Sequence, residues 1–442
     1  MGFSPKNFWP KPEARSPRPY PAPTSFLHVF RSRRIALLAV LGFSSGLPLL
    51  LTGQTLQAWM TARHIDLGRI AAMSAVGLAY SLKFAWAPLL DRYRVPLLGR
   101  RRGWILVLQL GLVAAIATMG AIDPVGAPVA LAGAAVAVAF LSASQDVVLD
   151  AYANDMLAPD ERAAGQAAYV VGYRVGMLAA GTAALVMADH VEWWAIYAIM
   201  AGAVAACTVA TFVAPEPDAP ATAPRTLAAA LVGPVREFAA RLGARRFARL
   251  LAFAALYELG YFFAQAVIIP FLHDGVGFDF TTIGLAYKAL VFAGTAAGGL
   301  ASGALVARAG ARRMLVPFGV VALVTHLLYA LLALAGHSLP LLCVAVLADS
   351  IANALVITVF VAELMGACSP AFSATQLAIL TSLSSVGQRV LGPFAADVQA
   401  AVGWAGFFAV TAAMTLPGLA VAASVARAPR DREEVATRGA AS

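Results

Sequence analysis

Residues 136–157, VAVAFLSASQDVVLDAYANDML, begin as an apolar helix and then carry Gln145, Asp146, Asp150, Asn154 and Asp155. An aspartate at the centre of a membrane helix costs about 2.5–3.5 kcal/mol on insertion scales. Two of them one turn apart need a reason. Asp146, Asp150 and Asn154 follow i, i+4, i+8 spacing and so share one helix face. That face belongs against protein or a water-filled path, where carboxylates mark routes for protons or substrate. The alternative is a packing salt bridge with a neighbouring helix.

Hairpin arithmetic supplies partners. The turn Ala158-Pro159-Asp160-Glu161 centres near residue 160, fourteen residues after Asp146 and fourteen before Arg174. With a rise of about 1.5 Å per residue the two lie at one depth, and pairing them lowers the cost of both charges. A second turn near Pro370 puts Asp349 level with Arg389. Each half of the chain is therefore expected to bury one acid–arginine pair. Such pairs can be static struts. A carboxylate that drops its partner on protonation would instead bias a rocking motion. Glu258, flanked by Tyr257 and Tyr261 near mid-membrane, is another proton-site candidate. Asp146, Asp150, Glu258 and Asp349 form the proton-coupling set.

Uncharged hydrogen-bonding groups suit a sugar, which needs hydroxyl partners and stacking faces. Gln54, Gln57, Tyr80, Gln145, Tyr152, Tyr257, Gln265 and Asn353 are candidates of this kind. About half would serve equally as bonds between helices. Lys83 snorkels or meets an anionic substrate; Lys288, Arg174 and Arg389 are further cations for a carboxylated ligand. Asp91-Arg92 followed by Gly99-Arg100-Arg101-Arg102 reads as a gating loop, with Asp91 able to cap a helix N-terminus across an interface. Arg308 is its echo in the second half, and positive-inside placement suffices for Arg101 and Arg102. Glu363 aligns with Asp155, and both read as interfacial.

No catalytic or metal set emerges. Gly42-Phe43-Ser44-Ser45-Gly46 fits G-x-S-x-G, but it lies inside an apolar span, not on a strand-to-helix turn. Its glycines read as close helix packing, as do Gly294, Gly298, Gly299 and Gly303. There is no phosphate loop and no HExxH, and the six histidines do not cluster. Cys207, Cys343 and Cys368 read as small hydrophobes without a disulfide framework.

The elements that must position these groups are membrane spans. The 442 residues are 60% hydrophobic and 12% charged, with a mean hydropathy of +0.77. A soluble domain would be about 25% charged. Twelve runs approach the length of about 20 apolar residues that a span needs: roughly 35–60, 69–90, 103–122, 127–156, 162–188, 192–214, 247–272, 280–307, 313–335, 339–366, 371–401 and 403–426. Gly403 is the only signal dividing the last two. Arginines cluster before span 1, after spans 2 and 8, and after span 12, which places both termini in the cytoplasm. The same clusters explain the net charge of +9 without nucleic acid.

The expected order is a disordered tail at 1–30, with no cleavable signal peptide, and a six-helix bundle at 31–214. A proline-rich linker with an amphipathic helix follows at 215–246, then a second six-helix bundle at 247–427 and a tail at 428–442. The halves repeat weakly. Gly77-Leu78-Ala79-Tyr80 recurs as Gly284-Leu285-Ala286-Tyr287, and Gly172-Tyr173-Arg174-Val175 is echoed by Gly387-Gln388-Arg389-Val390. Two parallel six-helix repeats leave such a trace, as in a major facilitator transporter. The fold class is thus all-α, membrane-embedded and of that kind.

GFSSGLPLLLTGQTLQAWM, LKFAWAPLLDRY…GRRRGW, SASQDVVLDAY and GYRVGM closely resemble the AmpG family of muropeptide permeases. The match runs in order through most of the first half and more loosely through the second. The resemblance implies proton-driven import of N-acetylglucosaminyl-1,6-anhydro-N-acetylmuramyl peptides across a bacterial inner membrane, for wall recycling and β-lactamase induction. It also implies no cofactor beyond the proton gradient, a monomer in the bilayer, and Gln145 and Asp146 at the functional core. Two rivals stand beside it: an exporter of drugs or other metabolites, favoured by an apolar cavity, and a membrane sensor without a transport cycle.

Overall fold

Lipid offers the backbone no hydrogen-bond partners, so each apolar run closes its bonds on itself as a helix. The computed structural model describes residues 33–93, 95, 98–157, 162–217, 236–368 and 373–427, and all regular structure among them is helical. The expectations for the 1–30 and 428–442 tails, and for residues 218–235 of the linker, lie outside the described residues.

Ten helices among the described residues are long and apolar enough to cross a membrane. The last, Ile379–Ala426, is too long for one crossing. Gly403 breaks it with φ 68°, a left-handed conformation open to glycine because it lacks a Cβ. The remaining span is the second, which runs in short pieces: Leu67–Ala72, Met73–Gly77, Leu78–Leu82, Lys83–Ala85 and Ala87–Arg92. Counted so, the spans number twelve, consistent with the expected architecture. The seventh is also broken: Ala244–Leu256 stops at Tyr257 and Glu258 and resumes as Leu259–Gln265.

Small residues let the helices approach. A Cβ on Gly42 would lie 2.2 Å from the Tyr169 carbonyl oxygen, and one on Gly46 2.1 Å from that of Tyr173. Spans 1 and 5 thus touch backbone to backbone, which is the packing expected of the G-x-S-x-G run. In the second half Gly294 and Gly298 press span 8 against span 10, while Gly299 and Gly303 face open space.

At the arginine-poor ends of the helices one apolar core runs through both halves, including Trp59, Tyr197, Phe263, Phe271 and Tyr287. Contacts cross there. The Asp189 carboxylate accepts from the Thr281 backbone N–H at 2.7 Å and its hydroxyl at 2.6 Å. Trp193 meets Phe280 edge to face at 6.1 Å. At the arginine-rich ends the core splits into one cluster around Leu38, Tyr152 and Tyr169 and another around Phe253, Phe318 and Phe360. The molecule is closed on one side and parted on the other.

Two ion pairs at the parted side match one another. Arg101 Nε lies 3.0 Å from Asp155, and Arg312 Nη2 lies 2.8 Å from Glu363. Each ties two neighbouring spans within its own half. Glu216 caps the third span, accepting from the backbone N–H groups of Arg101 and Arg102 at 2.8 and 3.1 Å. Arg101 is therefore a buried strut, not simply a positive-inside charge, and Asp155 and Glu363 are more than interfacial. Arg308 is exposed. The side chains of Asp91 and Arg92, to which gating is ascribed, lie outside the described residues.

Candidate functional site

A cavity of about 340 Å³ opens between the halves, lined by Gln54, Gln57, Arg174, Tyr261, Gln265, Lys288 and Arg389 among others. They come from spans 1, 5, 7, 8 and 11. The glutamines are held together. Gln54 donates to Gln265 Oε1 at 3.0 Å, and Gln57 donates to the Gln265 carbonyl at 3.3 Å. The Lys288 ammonium donates to Gln54 Oε1 and lies 5.3 Å from the centre of the Tyr287 ring, a favourable cation–π geometry. These bonds join the halves at the closed end of the cavity.

Arg389 crosses from span 11 toward span 2, where Nη1 lies 3.5 Å from the Ser74 carbonyl. It fits because span 2 has glycine there: a Cβ on Gly77 would lie 2.2 Å from the guanidinium carbon. The repeated Gly284 meets Thr182 and Leu185 of span 5, so both copies of Gly-Leu-Ala-Tyr sit at interfaces between the halves. Arg174, Lys288 and Arg389 give the cavity three cations, and no Asp or Glu lines it among the described residues. An unbalanced cationic wall in a low dielectric recruits an anion.

Asp146 stands apart from them. It is buried, accepts from Ser45 Oγ, and has Lys83 Nζ at 4.0 Å from its other oxygen. Ser45 lies 3.0 Å from the Tyr169 hydroxyl. Asp150, one turn on, is exposed and within the field of the same lysine. Tyr80 is half-buried between the Asp146 and Arg389 charges.

The two level acid–arginine pairs do not form. Helix rise fixes depth, but rotation about the axis decides which face a side chain takes. Arg174 points into the cavity, and Lys83 occupies the place beside Asp146. Asp349 accepts from Thr325 Oγ1 at 3.0 Å and lines a separate, smaller cavity with Tyr257, Glu258 and Asn353. Gln145, one residue round the helix from Asp146, is fully buried and donates to Ser44 at 2.7 Å. Tyr152 reaches the Pro215 carbonyl at 2.8 Å, and Tyr257 the Leu315 carbonyl at 2.5 Å. These three therefore bond protein rather than face the central cavity. Sequence reasoning missed Ser45, Tyr169 and Tyr261. The only signal for Ser45 was a hydroxyl between two packing glycines.

The sequence model of the Major Facilitator Superfamily matches residues 35–287 and 250–441. The chain belongs to the major facilitator superfamily. Within the superfamily it is 43% identical over 397 residues to the anhydromuropeptide permease of Escherichia coli (strain K12), covering 90% of this chain and 80% of that protein. That similarity also makes it a member of the permease's family, as the motifs implied. A putative transporter AmpG 4 of Rickettsia felis is 28% identical, with 88% and 96% covered. Among solved superfamily folds, a bacterial homolog of the human lysosomal transporter Spinster, inward-facing and occupied, matches with a TM-score of 0.68 at 15% identity, covering 89% of this chain and 96% of that one. The D-xylose-proton symporter matches at 0.66 and 12% identity, covering 91% and 97%. These two speak to fold alone. This superfamily member is a multi-pass membrane transporter and not an enzyme.

Proposed function

We propose that the protein imports N-acetylglucosaminyl-1,6-anhydro-N-acetylmuramyl peptides across the bacterial inner membrane by proton symport, as a monomer and without a cofactor. It would serve wall recycling and β-lactamase induction. The carrying observation is the cationic cavity between the halves, in a chain 43% identical to an anhydromuropeptide permease. Peptide carboxylates suit Arg174, Lys288 and Arg389, and sugar hydroxyls suit the amides of Gln54, Gln57 and Gln265. Leu49, Met177, Phe262 and Phe292 also line the cavity, so what speaks against an exporter of apolar drugs is its set of three basic side chains.

The arginine-rich side is assigned to the cytoplasm, with both termini on it and the linker at 215–246 dividing the bundles, by the positive-inside rule. The parted side is then the inside, and the structure is inward-facing. Asp146 and Asp150 serve as proton acceptors on the cargo path. Protonation of Asp146 cancels its attraction for Lys83, and the freed lysine changes the contacts between spans 2 and 4. Lys288 and its glutamines form the outer latch, which must open for periplasmic cargo. Asp91, Arg92 and Arg308 remain gating candidates at the inner side.

Uptake of labelled anhydro-muropeptide into proteoliposomes with an acidic exterior tests this reading. Accumulation that collapses with the pH gradient supports it. Flux with a drug alone would replace it with an exporter, and no ligand-dependent flux would replace it with a sensor.

A further inference from the structure

The second half holds a cavity that this route does not use. It measures about 20 Å³, room for about one water molecule. Glu258 of span 7, His326 of span 9 and Asp349 of span 10 line it. Their exposures are 6%, 1% and 5%. Glu258 Oε1 has no hydrogen-bond partner, whereas buried polar atoms are nearly always paired with protein or water; the His326 ring has the Thr411 backbone of span 12 beside it. No Lys or Arg lines the cavity among the described residues. The other titratable groups near its acids are tyrosines: Tyr257 and Tyr261 of span 7 line it, Tyr287 of span 8 lies within the field of Asp349, and the Tyr329 hydroxyl of span 9 is a hydrogen-bond partner of Asp349. Span 12 contributes Thr415, whose hydroxyl donates to the Ala412 carbonyl, and the Thr411 backbone beside His326. Ionising both carboxylates here would bury two negative charges with no cation, at a cost far above that of keeping them protonated.

We infer that Glu258, His326 and Asp349, bridged by one water, form a second proton-binding centre that loads and unloads during transport. Loading breaks an O–H bond of hydronium and makes one O–H or N–H bond in the centre, leaving water and needing no other reactant. The centre sits where it can be felt. Glu258 lies at the break in span 7, and Tyr261 lines both this cavity and the central one. A change of charge at Glu258 therefore acts on the helix segment that carries Tyr261 and Gln265.

The proton occupancy stands without the import reading; its coupling to cargo rests on that reading. Infrared spectra of the full chain in lipid vesicles, recorded without cargo, test the occupancy. A protonated-carboxyl band at neutral pH that is lost in part in Glu258→Gln and in Asp349→Asn, and shifted in His326→Gln, supports the centre. A band unchanged in all three overturns it. In proteoliposomes the carboxyl variants are expected to lose gradient-driven accumulation while keeping cargo exchange. Wild-type accumulation, or loss of exchange in monodisperse protein, overturns the coupling. Absence of uptake by the wild type would sink the import reading and leave the infrared result standing.

Discussion

The first half holds its membrane acid against a cation, with Lys83 at 4.0 Å from Asp146. The second holds Asp349 against the Thr325 hydroxyl at 3.0 Å, beside a cavity without a cation. The same halves agree at their arginine-rich ends, where Arg101–Asp155 and Arg312–Glu363 occupy matching places. They agree again at Gly77 and Gly284, each placed at the interface between halves. The repeat is kept at the ion pairs that fix neighbouring helices and abandoned around the acids deeper in the membrane, Asp146 and Asp349. An acid with a lysine beside it answers to the charge of that lysine and of passing cargo. An acid sealed among tyrosines, histidine and threonine answers to protons and water.

The largest expected effect separates the two acids. Asp146→Asn should abolish gradient-driven uptake while folded protein remains in the membrane, and normal uptake in that variant would remove the proton role of Asp146. Next come the matched struts. Arg312→Ala strands the buried Glu363 carboxylate, at a cost of about 3 kcal/mol, and Arg101→Ala removes the ion-pair partner of the partly buried Asp155; thermal unfolding in detergent should show a loss in both. A loss confined to one of them would mean the halves are not equivalent even there.

The glycines should differ more modestly. Gly77→Ala displaces the Arg389 guanidinium and should weaken cargo binding about tenfold, or about 1.4 kcal/mol. Gly284→Ala would bring its Cβ only to 3.1 Å from Leu185, and its binding isotherm should move far less. Equal effects would argue that Arg389 does not touch cargo. The smallest change is at the closed end. Asp189→Ala removes an anion from the start of span 8 and should shift the closed-to-open ratio by roughly 2–5-fold, within the usual range of such helix-terminus charges. Spin-label distances across the arginine-poor ends would read it.

Much of the frame was legible in advance. Apolar length located most of the spans, since lipid leaves the backbone no alternative to a helix. Gly403 divided the last two as expected because no other residue type takes φ 68° so readily. The central cavity was partly legible: six of the twelve substrate candidates line it. Gln145 and Tyr152 were misjudged because a buried polar residue on a cavity helix can point into the bundle as easily as toward the cargo. His326 was passed over because its partners lie on other helices, far away in sequence.

Sequence alone determined which runs are helices, how deep each charge lies and that the chain is built twice. These follow from hydropathy and a rise per residue that hardly varies. Only the tertiary structure decided that Lys83 and not Arg174 stands beside Asp146, that three cations share one cavity, and that His326 lines a small cavity with two acids. Those outcomes depend on how each helix is turned about its axis, and the packing of its neighbours sets that rotation.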